Sequence, residues 1–368
     1  MKWLVGYQLV ESDAFMNEIL RCKDQIQEVY FSWGNMPNGR HVSPAHEHLT
    51  PSQAQRCMEE DLHRLSKAGL EFNLLLNGNC YGARSLSRSL MMEVCDTVDE
   101  LSERFGLSSV TTTSPVLAKL IKENFPDKEV RASVNMEIGT IAGMEYLADV
   151  FDSFYIRREL NRDLPALKEL CGWCEAHGKK SYLLANSGCL NNCSARQFHD
   201  NLVAHENEIV QMNNAATFSG VCGPYLSRAA REDKSVYLRR LNFIRPEDTN
   251  LYEGLVTAMK LATRVNQAPA RVLRAYAEGH YTGNLLELLE PNHAKTLYPQ
   301  VLENQRLPVG WGRQVATCGQ ACEHGGNCRY CRDAAENALV SLTDMAVAES
   351  SDSCGSCTTQ DCANCRQR

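Results

Sequence analysis

The sequence lacks several features that would place the protein in a special class. No apolar run in its 368 residues approaches the roughly 20 residues that a membrane-spanning helix needs. Aromatic residues make up only 7%, and the 23 glycines and 12 prolines form no collagen-like repeat. The composition, 43% hydrophobic and 23% charged, predicts a soluble globular protein.

A secretory leader and an excess of basic residues are also missing. The apolar stretch at residues 3–6 is too short for a signal peptide, so we expect the protein in the cytoplasm. Lysine and arginine number 38 against 45 aspartates and glutamates, which gives a formal net charge of -7. Because proteins that grip nucleic acid normally carry a basic face, a small molecule or a peptide is the favoured partner.

Short β-rich runs alternate with amphipathic helical stretches through the first 265 residues. Eight runs have the composition of strands, at residues 3–8, 28–33, 71–76, 108–112, 129–134, 151–156, 180–184 and 258–262. Repeated β-then-α units predict a parallel sheet, and eight of them predict an α/β fold with a closed, TIM-like (β/α)8 barrel. The alternative is an open doubly wound sheet, but no glycine-rich dinucleotide fingerprint follows the first strand.

The pattern changes after the barrel, which gives three predicted parts. The barrel itself would occupy residues 1–265, and a helical extension with a cysteine cluster would occupy 266–348. Within that extension we expect one helix at 333–348. A cysteine-rich tail would follow at 349–368, and a further extended piece is expected at 241–244.

Cysteine is the over-represented residue, at 17 of 368. In a reducing cytoplasm such cysteines are more often ligands or nucleophiles than disulfides. Functional groups of a (β/α)8 barrel collect where its strands end, and there the sequence places Cys80, Cys189 and Cys193, with Cys222 in the next long segment. Four converging thiolates would bind a [4Fe-4S] cluster. Zinc accepts the same ligands, and isolated buried cysteines are the structural alternative.

Two compact sets of cysteines follow the barrel. The first set comprises Cys318, Cys322, Cys328 and Cys331, and the second comprises Cys354, Cys357, Cys362 and Cys365. Such dense spacing is typical of a metal site, although spacing does not separate zinc from iron and sulfide. We expect a second iron–sulfur centre in this region, which would relay electrons to the barrel.

Four other side chains that follow strand ends are candidates for handling substrate. Arg40 and His41 follow the second strand, where they would bind an anionic group or move protons. Arg158 and Glu159 follow the sixth strand, where they would serve anion binding and general acid–base catalysis. The structural alternatives are a solvated loop for the first pair and a salt bridge at the barrel end for the second.

Several segments resemble, in their order along the chain, the collagenase-like peptidase family U-32 and in particular its iron–sulfur barrel members. They are the Arg-Glu-Leu run at 158–160, the segment 133–136, the loop from Cys189 to Cys193, and the segments 243–248 and 259–264. Val134 and Asn135 depart from the family pattern, and the spacing of the paired cysteines is tighter than in the family.

This resemblance implies a function. Several family members use a [4Fe-4S] cluster for oxygen-independent hydroxylation of tRNA, rRNA or ubiquinone precursors, often together with a related protein. We therefore expect an iron–sulfur-dependent tailoring enzyme that needs an electron donor and modifies a small molecule, a peptide or RNA. A U-32-type peptidase and a non-enzymatic, zinc-stabilised subunit are the alternatives. For the peptidase, Cys189 with His199 is the best nucleophile and base that the sequence offers.

Overall fold

A computed structural model describes residues 1–342 except positions 11, 35, 37, 40–48, 211, 213–219, 321 and 323–327, and the side chains of 207 and 210. Arg40 and His41 therefore lie outside the described residues, as do the four cysteines of the last set, Cys354, Cys357, Cys362 and Cys365. The other predicted site residues can all be placed.

Eight parallel strands close into a barrel in chain order, with the last strand paired to the first. The strands are β1 (Trp3–Gly6), β2 (Ile26–Phe31), β3 (Glu71–Leu76), β4 (Leu107–Thr112), β5 (Glu129–Ala132), β6 (Ser153–Tyr155), β7 (Lys180–Leu184) and β8 (Ala258–Leu261). The register across the closing pair runs from Trp3 opposite Met259 to Val5 opposite Leu261. The predicted TIM-like (β/α)8 barrel is confirmed.

Helices cover the outside of the barrel and connect consecutive strands. Up to β7 they are α1 (Ala14–Arg21), α2 (Pro51–Lys67), α3 (Arg88–Phe105), α4 (Pro115–Asn124), α5 (Ile141–Glu145) and α6 (Leu164–Ala176). The long connection from β7 to β8 holds α7 (Arg196–Ala204), α8 (Glu206–Val210), α9 (Cys222–Ala229) and α10 (Val236–Arg240). Short 3-10 turns after strands include Val134–Met136 and Arg158–Arg162.

The extension after the barrel combines short helices with a small sheet. Its elements are α11 (Pro269–Glu278), α12 (Ala294–Leu297), β9 (Gln300–Leu302), α13 (Trp311–Thr317), α14 (Tyr330–Ala338) and β10 (Leu339–Ser341). The single helix expected at 333–348 is wrong in its described part, because the chain pairs with β9 in antiparallel fashion directly after α14. The extended piece expected at 241–244 includes Leu241, which is extended and makes an isolated bridge with Leu190, although no strand forms there among the described residues.

Local sequence explains where the long helices begin and end. Thr50 accepts a hydrogen bond from the Gln53 amide while the Gln53 side chain bonds back, and Pro51 occupies the first turn of α2. The Ser87 hydroxyl caps α3, and Gly106, at a φ of 78°, ends that helix in the left-handed conformation that glycine adopts without strain. These helices pack their apolar faces on the outer surface of the sheet.

The core has two parts. A large one lies between the sheet and the helices, and there the helical cysteines Cys171 and Cys174 are buried. A smaller one fills the barrel interior around Tyr30, Tyr155 and Tyr182. Within the described residues, no helix is long and apolar enough to cross a membrane.

Candidate functional site

The carboxyl ends of the strands bring several charged side chains to one end of the barrel, which we call the barrel mouth. Arg158 and Glu159 lie in the 3-10 turn after β6, and they are only 5% and 9% exposed. Lys260 projects from β8 and is 7% exposed. Charged groups this deeply buried are uncommon unless they are paired or functional.

Glu159 is held by two guanidinium groups. Its Oε1 lies 2.8 Å from Arg196 Nη2, and its Oε2 accepts a hydrogen bond of 3.2 Å from Arg157 Nε. Burial alone would raise the pKa of this carboxyl, but Arg196 and Arg157 hold the pKa below its usual value. Glu159 is therefore ionised at neutral pH, which suits it to holding Arg196 in place better than to donating a proton.

Arg158 is bonded less completely than Glu159. Its Nη2 donates a 2.8 Å hydrogen bond to Asn135 Oδ1, and its Nη1 lies 3.6 Å from Glu137 Oε1. Among the described residues, Nε and Nη1 have no hydrogen-bond partner. Asn135 in turn donates to the carbonyl of Asn77 after β3, so the contact links the ends of three strands.

Lys260 has no hydrogen-bonded or ion-paired partner among the described residues. Its amine lies 3.9 Å from the centre of the Tyr30 ring and 5.2 Å from that of Tyr155. Burial lowers the pKa of Lys260 well below its usual value, and the nearby cations, Arg264 first, lower it further. The amine therefore loses its proton more easily than an exposed lysine does, and an anion beside it would oppose that shift.

A cavity opens between these groups at the barrel mouth, and we call it the mouth cavity. Its charged and reactive lining consists of Arg158, Lys260, Arg264, Asp200, Glu290 and Cys189. The amides of Asn77 and Asn135 also line it. Because strands β3, β5, β6, β7 and β8 or the loops after them all contribute, the cavity occupies the position where barrel proteins perform chemistry.

Of the four predicted barrel cysteines, Cys189 lines this cavity, and the Cys189 and Cys193 thiols lie near enough to Cys222 to act on its charge. Burial raises the pKa of Cys222 at the start of α9, and the neighbouring Cys189 and Cys193 thiols add to the effect. The loop that carries Cys189 is tied down, since Asn242 Nδ2 donates a 3.0 Å bond to the Cys189 carbonyl. Their thiols have the donor chemistry that a metal or an iron–sulfur cluster requires.

The fourth predicted cysteine, Cys80, has a different neighbour. A hydrogen bond with His205 lowers the pKa of the Cys80 thiol and raises the pKa of the His205 imidazole. His205 Nδ1 also lies 3.2 Å from Glu208 Oε2, and the Gly82 amide donates to Cys80 Sγ at 3.4 Å. The imidazole of His205 therefore interacts with both a thiol and a carboxylate, which are the groups that activate a cysteine nucleophile.

The first C-terminal set of cysteines also lies together. Burial raises the pKa of Cys331 to about 11, and the thiols of Cys318, Cys322 and Cys328 contribute to the rise. In the part of the chain that the structure describes, however, no group of three or more Cys, His, Asp or Glu side chains is arranged to hold a metal ion. The thiols of both sets have the chemistry of metal ligands, and binding would require their side chains to converge.

Sequence reasoning placed Arg158, Glu159 and Cys189 at the mouth but missed other site residues. Lys260 carried a usable signal, because a lysine within the buried strand β8 (Ala258–Leu261) breaks an otherwise apolar run. Asp200 and the pair of His205 with Glu208 carried none, since they belong to the long connection between β7 and β8. The expected base His199 was paired in sequence with Cys189, whereas the imidazole bonded to a thiol belongs to His205.

The protein is thus a (β/α)8 barrel with charged groups and a thiol at the mouth. No protein-family model matches the chain. An uncharacterized protease of Methanocaldococcus jannaschii is 26% identical over 298 residues, which span 77% of this chain and 81% of the relative. The predicted resemblance to collagenase-like peptidase family U-32 is confirmed.

Solved structures are similar to this chain at the level of the barrel. The U32 peptidase Mk0906 has 14% sequence identity and a TM-score of 0.49, with 71% of this chain and 91% of that chain covered. A chitinase from Rhizomucor miehei has 12% identity and a TM-score of 0.40, with 76% and 100% covered.

Proposed function

We propose that the protein is an iron–sulfur-dependent tailoring enzyme whose barrel cluster is bound by Cys189, Cys193 and Cys222. The observation that supports this best is that the Cys189 and Cys193 thiols lie near enough to Cys222 to raise its pKa. Cys189 also lines the mouth cavity, so a group bound there would face the substrate. When bound, a [4Fe-4S] cluster would supply one-electron transfer.

The protein's own residues would do the remaining work. Arg196 lies between the cysteine loop and the acids, because its Nη2 donates to the Leu190 carbonyl at 2.9 Å and its Nη1 to Glu137 at 2.9 Å. This cation beside Cys189 would offset part of the negative charge of a cluster bound there. The C-terminal set at Cys318 to Cys331 would then hold a second centre that passes electrons to the barrel.

The experiment measures iron, sulfide and zinc in full-length protein purified without oxygen, with visible and EPR spectra. We expect the C189A/C193A variant to lose about four irons, and C318A/C322A to lose a separate set. C95A, a half-buried cysteine on α3, is the matched control and should keep the full content. Wild-type iron in C189A/C193A would reject the barrel cluster, and zinc alone would favour the zinc-stabilised subunit.

A second candidate function is a thiol hydrolase, which the arrangement of Cys80, His205 and Glu208 favours. The Cys80 sulfur would attack a carbonyl carbon, the His205 imidazolium would protonate the leaving group, and water would then hydrolyse the thioester. This is also the class that the name of the M. jannaschii relative suggests. Iodoacetamide should label Cys80 faster than Cys95 at neutral pH, and H205A should abolish that difference.

The two candidates make opposite demands on Cys80. As a fourth cluster ligand it would be protected from iodoacetamide in protein that contains iron, and C80A would lower the iron content. As a nucleophile it would stay reactive in the presence of iron, and C80A would leave the iron unchanged. An equal labelling rate for Cys80 and Cys95 in wild-type protein would reject the hydrolase.

A further inference from the structure

Arg158 has donors that the protein leaves unused. It is 5% exposed, yet its Nε and Nη1 atoms have no hydrogen-bond partner within the described residues, and only Nη2 is bonded, to Asn135. Glu137, at 3.6 Å from Nη1, is too distant for a hydrogen bond. Leaving buried donors unsatisfied costs about 1–3 kcal/mol in similar cases, so the arrangement indicates a missing acceptor.

Lys260, on β8, is a second buried cation at the mouth, and it lacks a hydrogen-bonded or ion-paired partner among the described residues. Its amine reaches the mouth cavity over the face of Tyr30, and within the described part of the chain no carboxylate lies within ion-pairing distance of it. Arg264, just after the same strand, and Arg131 on β5 disfavour its positive charge, whereas Glu28 on β2 favours it. The side of the Lys260 amine that faces the mouth cavity is therefore open to an anion.

The acids of the cavity limit what can bind there. Asp200 and Glu290 line the same space, so they offset much of the positive charge and weaken long-range attraction. Asp200 Oδ2 is buried and, among the described residues, has no hydrogen-bond donor. Recognition must therefore come from direct contacts, and a ligand with both an acceptor and a donor would satisfy more groups than a simple ion.

We propose that the mouth cavity binds the oxyanion of the substrate, a carboxylate or a phosphate, between the Arg158 guanidinium and the Lys260 amine. The planar guanidinium would donate to a ligand oxygen from Nη1, or from Nε on its other edge, and the amine would contribute a point charge. A hydroxyl or amino group on the same ligand would donate to Asp200. The inference rests on the proposed function in one respect, since the bound substrate would lie beside Cys189.

The test is calorimetric titration of the full-length protein with inorganic phosphate and, separately, with lactate, a hydroxycarboxylate. We expect one of these probes to bind, which identifies the oxyanion. R158Q and K260M should each weaken that binding at least about tenfold, because each removes a charge-assisted contact. R271Q and K168M, exposed cations outside the cavity, should bind as the wild type does.

Folding does not confound the result. K260M removes an unpaired buried amine and should keep or raise the thermal stability, so a loss of binding in that variant reports on the contact itself. R158K keeps the positive charge but loses the planar guanidinium, so it should bind more weakly than the wild type and more tightly than R158Q. No binding of either probe, or equal binding by wild type, R158Q and K260M, would overturn the proposal.

Iron and sulfide are measured on the same samples, which separates the two proposals. Binding of an oxyanion by protein without iron would overturn only the iron–sulfur function. A normal iron content without any oxyanion binding would overturn only the anion site.

Discussion

The barrel has two buried groups of charges, and they differ in how completely they are paired. In the barrel interior, Arg131 donates to Glu28 at 2.6 and 3.1 Å, to Glu129 at 3.0 Å and to the Tyr182 hydroxyl at 3.2 Å. Ser109 donates a further bond to Glu28. At the mouth, by contrast, Arg158 keeps two donor atoms without partners among the described residues.

Under the proposed oxyanion site, this difference separates structural charges from functional ones. A fully bonded interior network orients side chains and leaves nothing for a ligand. Unsatisfied groups at the mouth lower the stability of the free protein, and they persist where binding or catalysis needs them. Both groups are about equally buried, so the degree of pairing, and not burial, distinguishes the two regions.

The largest effect is expected from removing a charge of the interior. R131M would leave Glu28 buried without a counter-ion, which typically costs about 3–5 kcal/mol in the free energy of unfolding. R158M would remove one hydrogen bond to a neutral amide, which should cost no more than about 1.5 kcal/mol. Urea unfolding of both variants makes the measurement. Equal costs would show that the two regions do not differ as described.

A smaller effect with a marked pH dependence is expected for E129Q. Burial alone would raise the pKa of Glu129, but Arg131 and Lys180 lower that pKa to about 2. A depressed carboxyl pKa stabilises the fold above the unfolded pKa of about 4.3, and the contribution is lost as the pH falls towards 2. E129Q should therefore lose about 2 kcal/mol at neutral pH. The stabilities of the variant and the wild type should converge as the pH falls to about 2, and a gap that does not change with pH would contradict the assignment.

The smallest effect has the opposite sign. K260M should gain about 1 kcal/mol at neutral pH, because an apolar side chain replaces an amine that lacks a counter-ion. Since the folded pKa of Lys260 lies below the unfolded value of about 10.4, the unfolded chain binds more protons, and wild-type stability rises with pH. The gain in K260M should thus shrink as the pH is raised towards 10. Thermal unfolding at several pH values measures it, and a loss of stability in K260M would reject an unpaired amine.

The barrel was predictable because its strands are short, buried and regularly spaced. The predicted strand 71–76 coincides with β3, and 180–184 with β7, since buried parallel strands read as continuous apolar runs. The positions of Arg158 and Glu159 followed from the rule that functional groups lie after strand ends.

Pairings between distant segments were not predictable. That Cys80 bonds His205, and that Arg196 holds Glu159, depends on how the connection between β7 and β8 folds over the mouth. The described part of this connection is divided into short helices, and sequence periodicity does not fix how short helices pack against distant segments. The strand β10 was missed because its pairing with β9 is a tertiary contact that overrides helical propensity.

Gly188, in the loop before Cys189, joins the barrel to the extension. A Cβ atom there would lie 2.2 Å from the Pro291 carbonyl oxygen, while the Gly188 amide donates to the Glu290 carbonyl at 2.8 Å and its own carbonyl contacts His293 Nε2 at 2.9 Å. Asn186 bonds the Leu288 carbonyl at 2.8 Å from the same loop. Residues that come after β8 thus fix the conformation of the cysteine loop. Chimeras between relatives should therefore exchange residues 186–189 and 288–293 together. A crossover between the two segments would combine contact surfaces from different proteins, and their packing and hydrogen bonds would not be complementary.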